Sequence, residues 1–289
     1  MKALRERLLG RNFFVHHLDG DVPVQGDVPR AEDGAHRARA EEGLEREFAS
    51  ERPADEVIEQ TYKVSGDASV RITNPRGSIA IRGADTSEVR MHAVKSASSA
   101  AQLKNITVDV TAEPGDVLIK TAFLRQKNMP FYAGTTAVDY TLSVPRTARI
   151  ARLDLDDGKA SVEEIQNADV HANVVNGQLE IRNCCGNLKV AVANGGLDLS
   201  YGRCEGPYFS ADAQILNGNA RLSIARGAAL RVHAETLNGK ITNSLDTMVA
   251  LDEQSSGKID LSLGTGRRSD LTVRVTSGDI TIVAAEPGG

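Results

Sequence analysis

Three cysteines, Cys184, Cys185 and Cys204, six histidines and a short acidic run, Asp154, Asp156 and Asp157, are the residues of this 289-residue chain whose types could carry chemistry. Cys185 and Cys204 fall eight residues after Gly177 and Gly196. That shared offset would stack them in consecutive copies of a repeat, either as a disulfide in an oxidising compartment or as a reduced, buried ladder. A zinc site would need a fourth ligand and a nucleophilic cysteine would need a placed histidine base, and neither lies near in the repeat. His16 and His17 are neighbours, and neighbours in an extended chain point to opposite faces, so they do not share a metal. His171 and His233 both precede a repeat glycine by six residues. Three coils would separate them by about 14 Å, too far for one site. The acidic run suits a cation, yet neither the GGxGxD repeat nor the EF-hand spacing occurs. No Walker A motif, G-x-S-x-G elbow or H-E-x-x-H pair is present. The residues therefore predict no enzyme, no cofactor and no metal.

The elements that would hold these residues are strands. After Pro145 the phrase NGQLEIR returns as NGGLDLS, NGNARLS, NGKITNS, SGKIDLS and SGDITIV. Turn glycines fall at Gly158, Gly177, Gly195, Gly218, Gly239, Gly257 and Gly278, in steps of 19, 18, 23, 21, 18 and 21 residues. The second and fourth residues after each glycine are mostly small or branched apolar ones, such as Leu179 and Ile181 or Leu197 and Leu199, and so face one side. A second strand before the glycine alternates likewise, and a second turn closes the unit. Asn-Gly suits a type I′ hairpin, which allows an antiparallel meander. In a solenoid, equivalent positions stack about 4.8 Å apart and select the same residue coil after coil. The in-register copies favour the solenoid, with Asn176-Gly177, Asn194-Gly195, Asn217-Gly218, Asn238-Gly239, Gly257 and Gly278 as its turns. The tail VAAEPGG would then be the only cap on the terminal coil. The outward positions carry mixed charge, among them Lys159, Glu180, Asp198 and Arg221, either as a binding face or as a surface that blocks aggregation.

Composition narrows the setting. Apolar residues make up 40% of the chain but aromatics only 4%, with no Trp, so a thin aliphatic interior is expected rather than aromatic stacking platforms. The net charge of -5, with both signs interspersed, argues against a nucleic-acid groove. No apolar run reaches the 18 or so residues of a membrane span. At the start, Arg5, Arg7 and Arg11 break any segment of signal-peptide length, so no leader is recognised in this sequence. Residues 1–57 are charged, broken by prolines and without strand alternation, and read as a mobile, disordered or partly helical arm. Residues 58–145 read as β-rich, and 146–285 as the repeats.

Three features in order, NPRGSIAIRGADTSEVRMHAVKSA at 74–97, VDYTLSVPRTARI at 138–150 and the train of Asn-Gly coils, resemble the bacterial DUF4097 family of "putative adhesin" β-strand repeat proteins. The resemblance covers roughly residues 58–285. It implies an all-β fold, a β-solenoid of roughly 20-residue coils preceded by a β-rich region. It also implies placement in the cell envelope or outside the cell, and a non-enzymatic scaffold that binds a protein or surface ligand. The competing expectations are a self-assembling intracellular scaffold that associates end to end and, less favoured, a carbohydrate-active β-helix enzyme.

Overall fold

The computed structural model describes residues 53–124, 136–166, 169–202, 209–245, 250–255, 257–265 and 269–285. His16, His17, Cys204 and the expected arm up to residue 52 lie outside the described residues. The first strand, β1 (Ala54–Lys63), already begins inside the expected arm. It is followed by β2 (Ser69–Ala84), β3 (Glu88–Ala97), a single turn of helix α1 (Ala100–Leu103), β4 (Ile106–Glu113), β5 (Asp116–Phe123) and β6 (Ala137–Pro145). The repeats supply β7 (Arg149–Glu163), β8 (Val170–Arg182), β9 (Leu188–Tyr201), β10 (Ser210–Asn217), β11 (Ala220–Ile224), β12 (Leu230–Asn238) and β13 (Ile241–Asn243). They end with β14 (Ala250–Ser255), β15 (Lys258–Leu263), β16 (Ser269–Ser277) and β17 (Ile280–Ala284). No helix among the described residues is long and apolar enough to cross a membrane.

The coil is the unit. A strand runs up to a glycine corner, turns through it, and continues in a second sheet. Strands before the corner stack in the order β5, β2, β7, β8, β9, β10, β16, β12, all parallel. Strands after the corner stack in the order β6, β2, β7, β8, β9, β11, β17, β13. The two sheets enclose a thin core of inward side chains such as Ala172, Val174, Leu179 and Ile181 from one coil and Val190, Val192, Leu197 and Leu199 from the next, none more than 3% exposed. Each fully buried aliphatic contributes about 1.5–3 kcal/mol. One coil alone has nothing to bury against, so stability comes from the stack.

The corner needs glycine for close approach. A Cβ on Gly195 would lie 1.7 Å from the Gly177 carbonyl oxygen, and Gly195 has φ +139°. The same contact runs through the column Gly77, Gly158, Gly177, Gly195, Gly218, Gly278, Gly239. Beside it stands an amide ladder. Asn176 Nδ2 donates to Asp157 Oδ1 at 2.9 Å, Asn194 to Asn176 Oδ1 at 3.0 Å, and Asn217 to Asn194 Oδ1 at 3.0 Å. Asp157, which can only accept, terminates the ladder.

Four expectations are corrected. Gly77 belongs to the corner column, so the first coil is β2, inside the stretch read only as β-rich. The stacking order also departs from the chain order, because β16 and β17 lie between β10–β11 and β12–β13. The coil that precedes the tail is therefore an interior one, not the terminal coil. Lastly, Gly257 turns no coil: β14 and β15 form an antiparallel hairpin, and β15 pairs antiparallel with β12. That hairpin extends the first sheet beyond the last coil. At the other end β4 pairs with β5, and β3 and β1 follow β6, all antiparallel.

Two inward positions break the apolar pattern at opposite ends. Asn74, fully buried, donates to the Val138 carbonyl at 2.8 Å where β2 leaves β5 for β6. Thr236, 4% exposed, donates to the Gly278 carbonyl at 2.8 Å in the last coil. In each case the buried polar side chain finds a carbonyl partner inside the stack, as a buried donor requires.

Candidate binding surface

Strict parallel register turns an offset in sequence into a row in space. The third residues after the corner glycines of β7, β8, β9 and β11 are Ser161, Glu180, Asp198 and Arg221, and each pairs with the next across the second sheet. On this outward face Glu180 is only 8% exposed, because two cations fold over it: Lys159 Nζ lies 3.2 Å from its carboxylate and Arg182 contacts its other oxygen. Burial acts to raise the Glu180 carboxyl, but the Lys159 hydrogen bond and the charges of Arg182 and Lys159 prevail and hold it below the usual carboxylate range. Its neighbour Asp198 moves the other way. Partial burial and the adjacent Glu180 charge raise it, against the pull of Arg221, Arg182 and Lys159.

Next to this pair the face has a gap. Gly196 stands where neighbouring coils carry Gln178 and Asn219, and a Cβ there would meet nothing closer than 3.9 Å. The arrangement is an in-register sheet face with two carboxylates, three cations and one notch. Glu180 is occupied by its own cations. Such a face is suited to charge-complementary contact with another surface, and its exposed pairs set specificity and encounter rate more than affinity.

The first sheet presents a second polar face. His233 Nδ1 meets Asp260 Oδ1 across β12 and β15, and Arg274 pairs with Asp212 at 3.0 Å across β16 and β10. His171, on β8, lies four strand steps from His233 rather than three, because β16 is interposed; at ~4.8 Å per step that is roughly 19 Å. The two histidines stay in separate surroundings. Asp154 accepts from Asn173 Nδ2 at 2.9 Å and Asp157 from Asn176. Among the described residues no three His, Cys, Asp or Glu side chains are grouped as metal ligands would be.

Cys185 is disulfide-bonded and half-buried. Cys184 carries a free, buried thiol that burial pushes up to about 12. Asn176, Asn194 and Asn217 form the ladder already described, while Asn238 is separated from Asn217 by Ser277 of the interposed coil. The charged row was readable in principle, since Glu180, Asp198 and Arg221 share one offset from their glycines. Its electrostatics were not, because the cations that cover Glu180 come from different positions of different coils.

The family model described as Toastrack DUF4097 matches residues 53–283. Among solved structures, a "putative cell adhesion protein" from Clostridium sporogenes is similar at 11% identity, over 81% of this chain and 100% of that one, with a TM-score of 0.51. A "putative adhesin" from Bacteroides fragilis is 10% identical over 80% of this chain and 99% of that one, with a TM-score of 0.28. The first of these shows a shared fold. No curated protein matches this chain.

Proposed function

We propose, from the premise that this chain belongs to the Toastrack DUF4097 family, that it is a rigid, non-enzymatic β-scaffold that binds a partner through the outward face of its second sheet. The setting we favour is the cell envelope, where an adhesin-like role would place it. The observation that carries the reading is the row Glu180–Asp198–Arg221 with Lys159 and Arg182: five charged side chains set by parallel register on one face. A rigid scaffold presents such a row without ordering it first, which spares the entropy a loop would lose on binding. The disulfide at Cys185 supports an oxidising compartment.

Two measurements test this. Intact native cells carrying a C-terminally tagged chain are treated with protease. Loss of the tag before cytosolic markers are cut supports an outside location, whereas protection, with recovery among cytosolic proteins on lysis, sinks the envelope reading. Purified full-length chain is then offered to isolated envelopes. Saturable binding that weakens with salt and is lost in Arg182→Glu/Arg221→Glu supports the face. Binding that ignores the double substitution, with the fold intact by circular dichroism, moves the site elsewhere.

A further inference from the structure

The coil made by β16 and β17 comes last in the chain but not in the stack. Ser210 pairs with Asp270 and Leu230 with Ser269, separations of 60 and 39 residues. The coil thus fills a slot whose two walls, β10–β11 and β12–β13, precede it in the chain. β15 and β16 flank β12: β15 finishes at Leu263 beside Leu230, and β16 starts at Ser269 on the other side of that same Leu230. The residues between them, 264–268, read GTGRR. The described ends, Leu263 and Ser269, lie two strand spacings apart, about 9.6 Å, a span that five joining residues can cover.

The slot's walls also match each other. Its walls are in register with each other through the coil: Ala211, Leu271 and Val232 share one row, Ala213, Val273 and Ala234 the next, and Asn217, Ser277 and Asn238 a third. With the coil withdrawn, β10 and β12 can pair directly, and Asn217 and Asn238 would rejoin the amide ladder that Ser277 interrupts. Strands near in sequence usually pair first, and long-range pairings close late. Sequence separation therefore favours the pairing of the walls with each other over their pairing with the coil, and a coil that loses that competition is left free for another slot. What the slot then accepts is defined by its occupant. Leu271, Val273, Val275, Ile280 and Ile282 point inward, none more than 2% exposed, and Gly278 takes the corner at φ +137°. The strand pair that fits is residues 269–284 of this chain, and register and side chains are the same whichever copy supplies it.

We propose that the C-terminal coil is exchangeable between copies: residues 269–284 of one molecule insert between β10–β11 and β12–β13 of another. The partner is a second copy of this chain, and the contact does not involve the charged row. Exchange produces closed dimers or open chains, depending on whether it is reciprocal.

The test uses a cross-strand pair on the outward face, Arg231 on β12 and Asp270 on β16, whose side chains are 63% and 60% exposed. One tagged full-length chain carries Arg231→Cys, and a second, differently tagged chain carries Asp270→Cys. The two are refolded together over a range of concentrations and oxidised. Exchange predicts a disulfide-linked heterodimer carrying both tags, rising about tenfold relative to monomer over a tenfold rise in concentration, as a bimolecular step requires. The double substitution in one chain, folded dilute, should close the same bridge internally and so verifies the geometry. Internal closure with no mixed species at any concentration overturns the proposal. Like-with-like dimers as abundant as the mixed one also overturn it, since they report random collision. Should the engineered bridge fail even internally, size-resolved chromatography of the refolded wild-type chain decides. A dimer fraction that grows with concentration and survives dilution upholds exchange, and monomer throughout rejects it.

Discussion

The Tyr140 hydroxyl lies 2.6 Å from Thr121 Oγ1, a hydrogen bond that crosses the interior from β6 in the second sheet to β5 in the first. Tyr140 is 1% exposed and Thr121 6%, so the pair joins the sheets at the end of the stack where the coils give way to antiparallel strands. Thr121→Val leaves the phenol without that partner and is expected to cost about 1–3 kcal/mol. Adding Tyr140→Phe should recover part of the loss, and denaturant midpoints of the three variants decide. Burial raises the Tyr140 phenol to about 12, with the Thr121 bond acting against it. A group raised on folding lends stability that is complete below its ordinary value, here 10.0, and is lost as pH climbs through about 12. Burial raises Tyr201 well above 10.0 as well, so the Tyr140 contribution is read as the late-ionising tyrosine that ultraviolet titration loses in Tyr140→Phe; an unchanged late phase would contradict the buried bond.

Gly195→Ala puts a methyl group 1.7 Å from the Gly177 carbonyl oxygen at φ +139°. The backbone cannot yield without parting two coils, so a loss of more than about 3 kcal/mol, or failure to fold, is expected. Gly115→Ala, where a Cβ meets nothing within 4 Å, is the matched control and should stay within about 0.5 kcal/mol of wild type. Equal melting temperatures for the two variants would refute the corner packing.

Leu197→Asp places a carboxylate at a position 2% exposed with apolar neighbours on both sides. Because each coil is stable only against its neighbours, the array should unfold in one transition or not assemble. Retention of wild-type melting by calorimetry would mean the inward register is wrong.

Asp198→Asn removes a carboxylate whose charged form the fold disfavours, through burial and the adjacent Glu180. A carboxyl raised on folding weakens the native state once pH exceeds its folded value, so the substitution should stabilise at pH 7 and matter little in acid, where both states are protonated. Asp198 is partly exposed, so solvent screening keeps the gain small, about 1–2 °C in Tm. A lower Tm at pH 7 would show that the contact with Arg221 outweighs the repulsion.

The Cys185 bridge consumes two of the chain's three cysteine sulfurs, leaving Cys184 as the thiol. Protein purified without reductant should take up one alkyl group per chain after denaturation. Before denaturation it should take up none, because the Cys184 thiol is buried and held protonated. Three alkyl groups on the denatured chain would exclude the bridge.

Much of this was legible in the sequence, because the features concerned are local. The Asn-Gly phrase marks corners that only glycine can pass, and the alternation after Gly177 and Gly195 assigns Leu179, Ile181, Leu197 and Leu199 to the core, since side chains on a strand alternate by geometry alone. The regularity that reveals the repeat also hides the arrangement of its copies. Coils with equivalent registers are interchangeable partners, so nothing local tells β10 to pair with β16 rather than β12, or separates SGKIDLS, which forms one arm of a hairpin, from SGDITIV, which forms a coil. Asn74 and Thr236 look like flaws in a strand pattern until the carbonyls of Val138 and Gly278 are seen beside them. The coil, its corner and its inward face follow from backbone conformation and side-chain alternation over a few residues, and so are written locally in the chain. Only the tertiary structure decided the order of the coils, the row of charges across them and the slot filled by the C-terminal coil, because these depend on which of several equally matched edges meet.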